Sequence, residues 1–116
     1  MDPTGRFLYN TNINDDTVSA FSIDTDSGAL TPIGISAAGD APSSIAVDPS
    51  GRFVYVANNG FLSFNVSAYA IDPLTGALSA VAGSPFSAGS APISVSVDPL
   101  GEFVYVANRS TQNVTP

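Results

Sequence analysis

Asp48-Pro49-Ser50-Gly51-Arg52-Phe53-Val54-Tyr55-Val56-Ala57-Asn58 decides the architecture, because the chain carries it three times. It stands earlier as Asp2-Pro3-Thr4-Gly5-Arg6-Phe7-Leu8-Tyr9 and later as Asp98-Pro99-Leu100-Gly101-Glu102-Phe103-Val104-Tyr105. The interval, about 46–50 residues, is the length of one propeller blade. The match extends outward from the motif. Val18-Ser19-Ala20-Phe21-Ser22-Ile23-Asp24 returns as Val66-Ser67-Ala68-Tyr69-Ala70-Ile71-Asp72, and Gly28-Ala29-Leu30 as Gly76-Ala77-Leu78. Ala41-Pro42 leads into Ile45-Ala46-Val47-Asp48 just as Ala91-Pro92 leads into Val95-Ser96-Val97-Asp98. The repeats run 2–47, 48–97 and, incompletely, 98–116. Their lengths differ only near residues 60–65 and 83–89, where small and polar residues mark loops.

Residues 53–57 and 103–107 are apolar on both alternating faces, so the strand they form is buried on both sides. Apolar residues make up 44 % of the chain, punctuated by ten glycines and nine prolines. The apolar runs are short and rich in Val, Ile, Phe and Tyr, and none keeps helical spacing over three turns. The expected fold is therefore all-β, built of four-stranded antiparallel meanders that form propeller blades. Nine strands are predicted, at about 6–12, 17–24, 29–34, 44–48, 52–58, 66–72, 77–82, 93–98 and 102–108. Segments 44–47 and 94–97 have smaller side chains and suit the crowded innermost position. In Asp-Pro-x-Gly, Asp bonds its own backbone, Pro presets the next φ and Gly closes the turn. Asp2, Gly5, Asp48, Gly51, Asp98 and Gly101 are accordingly structural. Asn12, Asn58 and Asn108 share one repeat position and read as caps of the turn that follows the strand.

The Phe-Val-Tyr-Val-Ala-Asn stretches at 53–58 and 103–108, with Phe7-Leu8-Tyr9-Asn10-Thr11-Asn12 as a drifted copy, resemble the YVTN-type repeat. Together with the Val-Ser-Ala-aromatic and Gly-Ala-Leu segments, they are similar to the lactonase-like seven-bladed propellers of the 6-phosphogluconolactonase type. The resemblance implies a substrate site on the loops that leave the second strand of each blade. Arg109 lies there, suited to a phosphate or carboxylate, with a solvated loop arginine as the plain alternative. Asn59, at the matching place in the second repeat, and Asp16, in the first, complete the candidate binding set.

A propeller has about 4–8 blades, whereas this chain holds two repeats and part of a third. The first blade lacks its inner strand in this reading, and the last lacks its outer two. Either the chain is a fragment of a longer product or copies assemble into a ring or filament; obligate assembly with itself is the expectation.

Composition bounds the chemistry. Net charge is −7, with three arginines and no lysine, which argues against nucleic-acid binding. There is no His or Cys, so the commonest base, the thiol nucleophile and the Schiff-base amine are all missing. No catalytic residue stands out, and neither a metal nor a cofactor is expected. Asp24-x-Asp26-x-Gly28 has the start of a calcium loop, but Ile35 replaces the closing Glu, and a hairpin turn is the preferred reading. No apolar run reaches 18 residues, so no membrane contact is expected. Asp2 and Pro3 do not fit a signal peptide, and the compartment stays open. Triplets at Asn65, Asn108 and Asn113 match the glycosylation pattern. Three functions follow: a non-catalytic structural or self-assembling module, which is preferred; part of a lactone hydrolase; or a propeller that binds a sugar-derived ligand.

Overall fold

The computed structural model describes residues 1–60, 63–109 and 113–115. Among the described residues eleven strands form: β1 Phe7–Asn12, β2 Thr17–Ile23, β3 Leu30–Ala37, β4 Pro42–Val47, β5 Phe53–Gly60, β6 Ser63–Ile71, β7 Leu78–Ala80, β8 Phe86–Ser87, β9 Pro92–Val97, β10 Val104–Asn108 and β11 Asn113–Thr115. They form three antiparallel sheets. The first is β1-β2-β3, the second β4-β5-β6-β7 with β8 also paired to β6, and the third β9-β10-β11. Every pairing joins consecutive strands except β6–β8, so each sheet is a blade-like meander. No helix long and apolar enough to cross a membrane occurs among the described residues.

All nine expected strands form, with shifted ends. β3 runs on to Ala37 and β4 starts at Pro42, two residues before the expected 44. In the second sheet the outer strand breaks after Ala80 around a turn at Gly83 (φ 87°) and resumes as β8. That break is where the repeat lengths differ. The third sheet does not end at its second strand: β11 pairs with β10 through Val106↔Thr115 and Asn108↔Asn113. The first sheet lacks an inner strand, as expected.

The second sheet is packed between the other two. Strand alternation sends Val54 and Val56 of β5 toward the first sheet, where they pack with Phe7, Tyr9, Val18 and Ala20. Ala57 faces the other way and packs with Val66, Val95 and Val106. Val18, Val54 and Val56 have no exposed surface. Burial of each such side chain stabilises the fold by about 1.5–3 kcal/mol. β4 approaches both β1 and β9, which places the small-residue strand innermost.

The blades are locked at their tight-turn end by the turn carboxylates, buried at Asp2 and Asp48 and half-buried at Asp98. Asp48 Oδ1 accepts from the backbone N–H of Arg52 (2.8 Å) and Phe53 (3.1 Å), and its second oxygen accepts from Ser50 Oγ (2.5 Å). Asp2 repeats this with Arg6, Phe7 and Thr4, and Asp98 with Glu102 (2.6 Å) and Phe103 (2.8 Å). Gly5, Gly51 and Gly101 all sit near φ +70°, at 73°, 73° and 71°, where a Cβ is disfavoured. Asp24-x-Asp26 is a hairpin turn: Asp24 Oδ1 accepts from the N–H groups of Asp26 and Ser27. Among the described residues no acidic group clusters for a metal.

Candidate functional site

The opposite end of the blades carries the turn after β1, the ends of β5 and β10, and the crossovers 38–41 and 88–91 into the inner strands. Asp16, Asn59 and Arg109 all lie at this end.

Each crossover turns on an alanine in the left-handed region, Ala41 at φ 51° and Ala91 at φ 56°, each followed by a proline. Such a conformation is uncommon for a residue with a Cβ and is disfavoured before proline, so surrounding bonds must hold it. They do. The Ala41 carbonyl accepts from Asn59 N (3.0 Å), and the Ala91 carbonyl accepts from Arg109 N (2.9 Å). Asn59 and Arg109 are thus equivalent backbone positions on neighbouring blades. Asp16, itself at φ 56°, accepts from Ala41 N through Oδ1 (2.8 Å) and from Ala38 N through its carbonyl (2.8 Å).

Asp16 and Asn59 therefore meet at one hinge, Ala41. Arg109 lies one blade away; among the described residues no hydrogen bond or ion pair joins it to them. It is exposed, as is Asp16, while Asn59 is half-buried. Asp40 belongs to the same group and sequence reasoning passed over it. Its carbonyl accepts from Gly60 N (2.9 Å), and its carboxyl lies where a Cβ on Gly60 would stand. The available signal was Ala41-Pro42 and Ala91-Pro92 flanking both crossovers, with Asp40 replaced by Ser90 in the second.

Asn58 differs from its expected role as a cap of its own turn. It is fully buried; Nδ2 donates across the sheet to Asn65 Oδ1 (2.7 Å) and Ser67 Oγ (2.9 Å), while Oδ1 accepts from Gly39 N (3.2 Å). It fastens the crossover to the sheet. Asn12 donates likewise to Thr17 Oγ1 (3.0 Å) and Ser19 Oγ (2.8 Å). Asn108 is also buried and donates to the Val106 carbonyl (3.2 Å). Of the glycosylation triplets, the one at Asn108 has its acceptor residue buried, whereas Asn65 is half-buried with its Oδ1 bonded to Asn58. The side chain of Asn113 lies outside the described residues.

Two concavities lie away from this end. One of 540 Å³, between the second and third sheets, is apolar, walled by residues such as Tyr55, Val66, Phe86 and Phe103. The other, of 380 Å³, is at the tight-turn end beside Arg6 and Arg52. Each arginine stacks on its neighbouring phenylalanine, Arg6 at 5.1 Å from the Phe7 centroid and Arg52 at 5.6 Å from that of Phe53. The first concavity is apolar; in the second the carboxylate and hydroxyls present, Asp2 with Thr4 and Ser50, belong to the repeat turns, where Thr4 Oγ1 donates to Asp2.

Comparison with known proteins supplies what the geometry leaves open. The family model described as lactonase, 7-bladed beta-propeller, matches residues 1–90 and, in a second register, 36–116. A 6-phosphogluconolactonase from Formosa agariphila is 41 % identical over 81 residues, covering 67 % of this chain and 22 % of its own length. The crystal structure of a proposed 6-phosphogluconolactonase from Bacteroides fragilis superposes with a TM-score of 0.90 at 26 % identity, over 98 % of this chain and 32 % of that one. The periplasmic gluconolactonase PpgL of Pseudomonas aeruginosa does so with a TM-score of 0.85, also at 26 % identity, over 98 % and 32 %. The chain spans 22–24 % of the length of the curated relatives it matches. These relatives overturn the expectation of a non-catalytic structural module, because proteins that share its repeats carry lactonase names; the hydrolase alternative is the better one. The missing histidine and cysteine misled that expectation by removing the usual bases without removing carboxylates. This chain belongs to the lactonase family of seven-bladed β-propellers.

Proposed function

We propose that these blades form part of a lactone hydrolase resembling 6-phosphogluconolactonase, acting on a sugar-derived lactone. The observation that carries this reading is the 41 % identity to the Formosa enzyme across 81 residues. The substrate is assigned to the crossover end. There the Arg109 guanidinium, exposed and without a hydrogen bond among the described residues, suits the anionic group of a phosphorylated or carboxylated sugar. The Asn59 amide suits its hydroxyls. Lactone opening adds water to the ring carbonyl carbon and breaks the acyl–oxygen bond, so a base must take the proton from water. Asp15, Asp16 and Asp40 are the carboxylates that these blades bring to this end, and a carboxylate suits that role.

The test follows loss of 6-phosphogluconolactone and gluconolactone above their spontaneous hydrolysis, in the chain and in its Arg109→Ala form. Saturable turnover, with KM for the phosphorylated lactone raised about tenfold or more in the variant and KM for the neutral one unchanged, is expected. Equal effects on both lactones remove Arg109 from the site. Absence of turnover with either lactone leaves the activity to a larger assembly and overturns the reading for this chain.

A further inference from the structure

The chain has three arginines against ten acidic residues, yet acids do not consume the two arginines of the tight-turn end. Among the described residues neither Arg6 nor Arg52 forms an ion pair. Both follow the glycine of the repeated turn, on neighbouring blades. Both are exposed, and both line the 380 Å³ concavity between the first and second sheets. Its apolar wall is Ala70 and Ile71 of β6, with Pro73 from the turn beyond.

The turns aim each guanidinium. Thr4 Oγ1 accepts from Arg6 Nε (3.2 Å), and Ser50 Oγ accepts from Arg52 Nε (3.1 Å). The stacking of each guanidinium on its phenylalanine ring fixes one face as well. With Nε bonded and one face stacked, the terminal nitrogens are directed before any ligand arrives, which lowers the ordering cost of binding. Arg6 uses one of them in a long bond, Nη2 donating to the Pro73 carbonyl (3.3 Å). Both terminal nitrogens of Arg52 lack a hydrogen-bond partner among the described residues. The carboxylate that lines the concavity, Asp2, is buried and committed to its own turn through Thr4 and the N–H groups of Arg6 and Phe7. Asp48 is committed in the same way.

We propose that this concavity is an oxyanion site and that it takes a phosphate group, held between Arg6 and Arg52. A carboxylate has two oxygens and fills a single guanidinium fork, whereas a phosphate has further oxygens for the second. The volume falls within the ~300–1,000 Å³ of small-molecule sites, so the group that bears the phosphate fits beside it. Every wall of the concavity comes from the first two sheets, and the pair of arginines is particular to this junction. In the third repeat Glu102 stands at the same position, so the following junction has one arginine and one carboxylate in these places. The site lies at the end of the blades opposite Arg109, and its occupancy is therefore independent of a substrate there.

The test is a magnetic-resonance titration of the chain isotope-labelled at its arginine nitrogens, which gives one Nε–H signal for each of the three arginines. Inorganic phosphate is added at constant ionic strength, because exposed charges respond to screening alone. The expected result is that the Arg6 and Arg52 signals move together along one saturation curve. Arg52→Gln removes one fork at an exposed position, so the variant keeps the wild-type circular dichroism. Half-saturation of its Arg6 signal then needs about tenfold more phosphate or beyond. Arg6→Lys keeps the charge but not the fork, and it weakens the response of Arg52 as well. A hexose 6-phosphate distinguishes the sources of the group: tighter binding than inorganic phosphate assigns the site to a phosphorylated sugar, and equal binding assigns it to the free ion. A drift without saturation overturns the proposal. So does a response from only one of the two arginines, or an Arg6 response that Arg52→Gln leaves unchanged. No turnover is measured and Arg109 reports separately on the other end, so this proposal and the hydrolase reading fail separately.

Discussion

Asn58 has no exposed surface, and its side chain bonds to other segments: to β6 and to the crossover at Gly39. Replacing it with alanine strands the Gly39 N–H and the polar atoms of Asn65 and Ser67 in a buried site. The expected cost is about 2–4 kcal/mol, read from urea unfolding. The turn aspartates set the acid limit. Burial raises the pKa of Asp2 and Asp48, but the hydrogen bonds from Thr4, Phe7 and Arg6, and from Ser50, Phe53 and Arg52, together outweigh it and hold both below the ordinary 3.8. A depressed folded pKa means that their contribution is complete above 3.8 and is lost as pH falls through the folded values. Asp48→Asn should therefore lower the melting temperature at neutral pH and flatten its fall below pH 3.8. Tyr9 sets the alkaline limit. Burial, then the negative charge of Asp2, pushes its pKa from 10.0 to about 12. Its stabilisation is intact below pH 10 and is lost as pH climbs toward 12, so Tyr9→Phe should remove that alkaline loss from melting curves.

At the scale of elements, one motif has three different energies. Phe7, Phe53 and Phe103 are indistinguishable in sequence, yet Phe7 is 6 % exposed and Phe103 55 %. Phe7→Ala should cost about 3–5 kcal/mol, as a core truncation does, and Phe103→Ala less than about 1 kcal/mol in dilute monomer. Urea titrations of the two variants check this contrast. β5 is the strand with neighbours on both faces, and its pattern announced that: Val54 and Val56 serve one core cluster, Ala57 the other. Strand existence was legible throughout because period-two patterning is local. Strand ends were not. β8 and β11 are short and lack a hydrophobic run of their own, so they form because β6 and β10 offer unpaired edges.

The whole molecule is three sheets stacked about small inner strands, with a radius of gyration of 13.7 Å, close to the ~13 Å of a compact domain of this length. A partial propeller can be compact because each blade buries its motif against the next one and needs no closed ring to do so. Closure matters for a site that draws on several blades, which is what the lactone assay addresses. The chain's own residues determined that it is all-β, that its blades repeat at Asp2, Asp48 and Asp98, and which face of β5 points each way. Turn chemistry and side-chain alternation act within a few residues, so the repeated motif carries them complete. Only the tertiary structure decided that Asp16 and Asn59 share the Ala41 hinge, that Asp40 lies against Gly60, and that Asn58 is a cross-strand fastener. The contacts of the crossover join segments 18 to 25 positions apart in the chain, from Asn59 with Ala41 to Asp16 with Ala41. No local pattern encodes them; they exist because neighbouring blades stack, and stacking brings a crossover over the end of the sheet beside it.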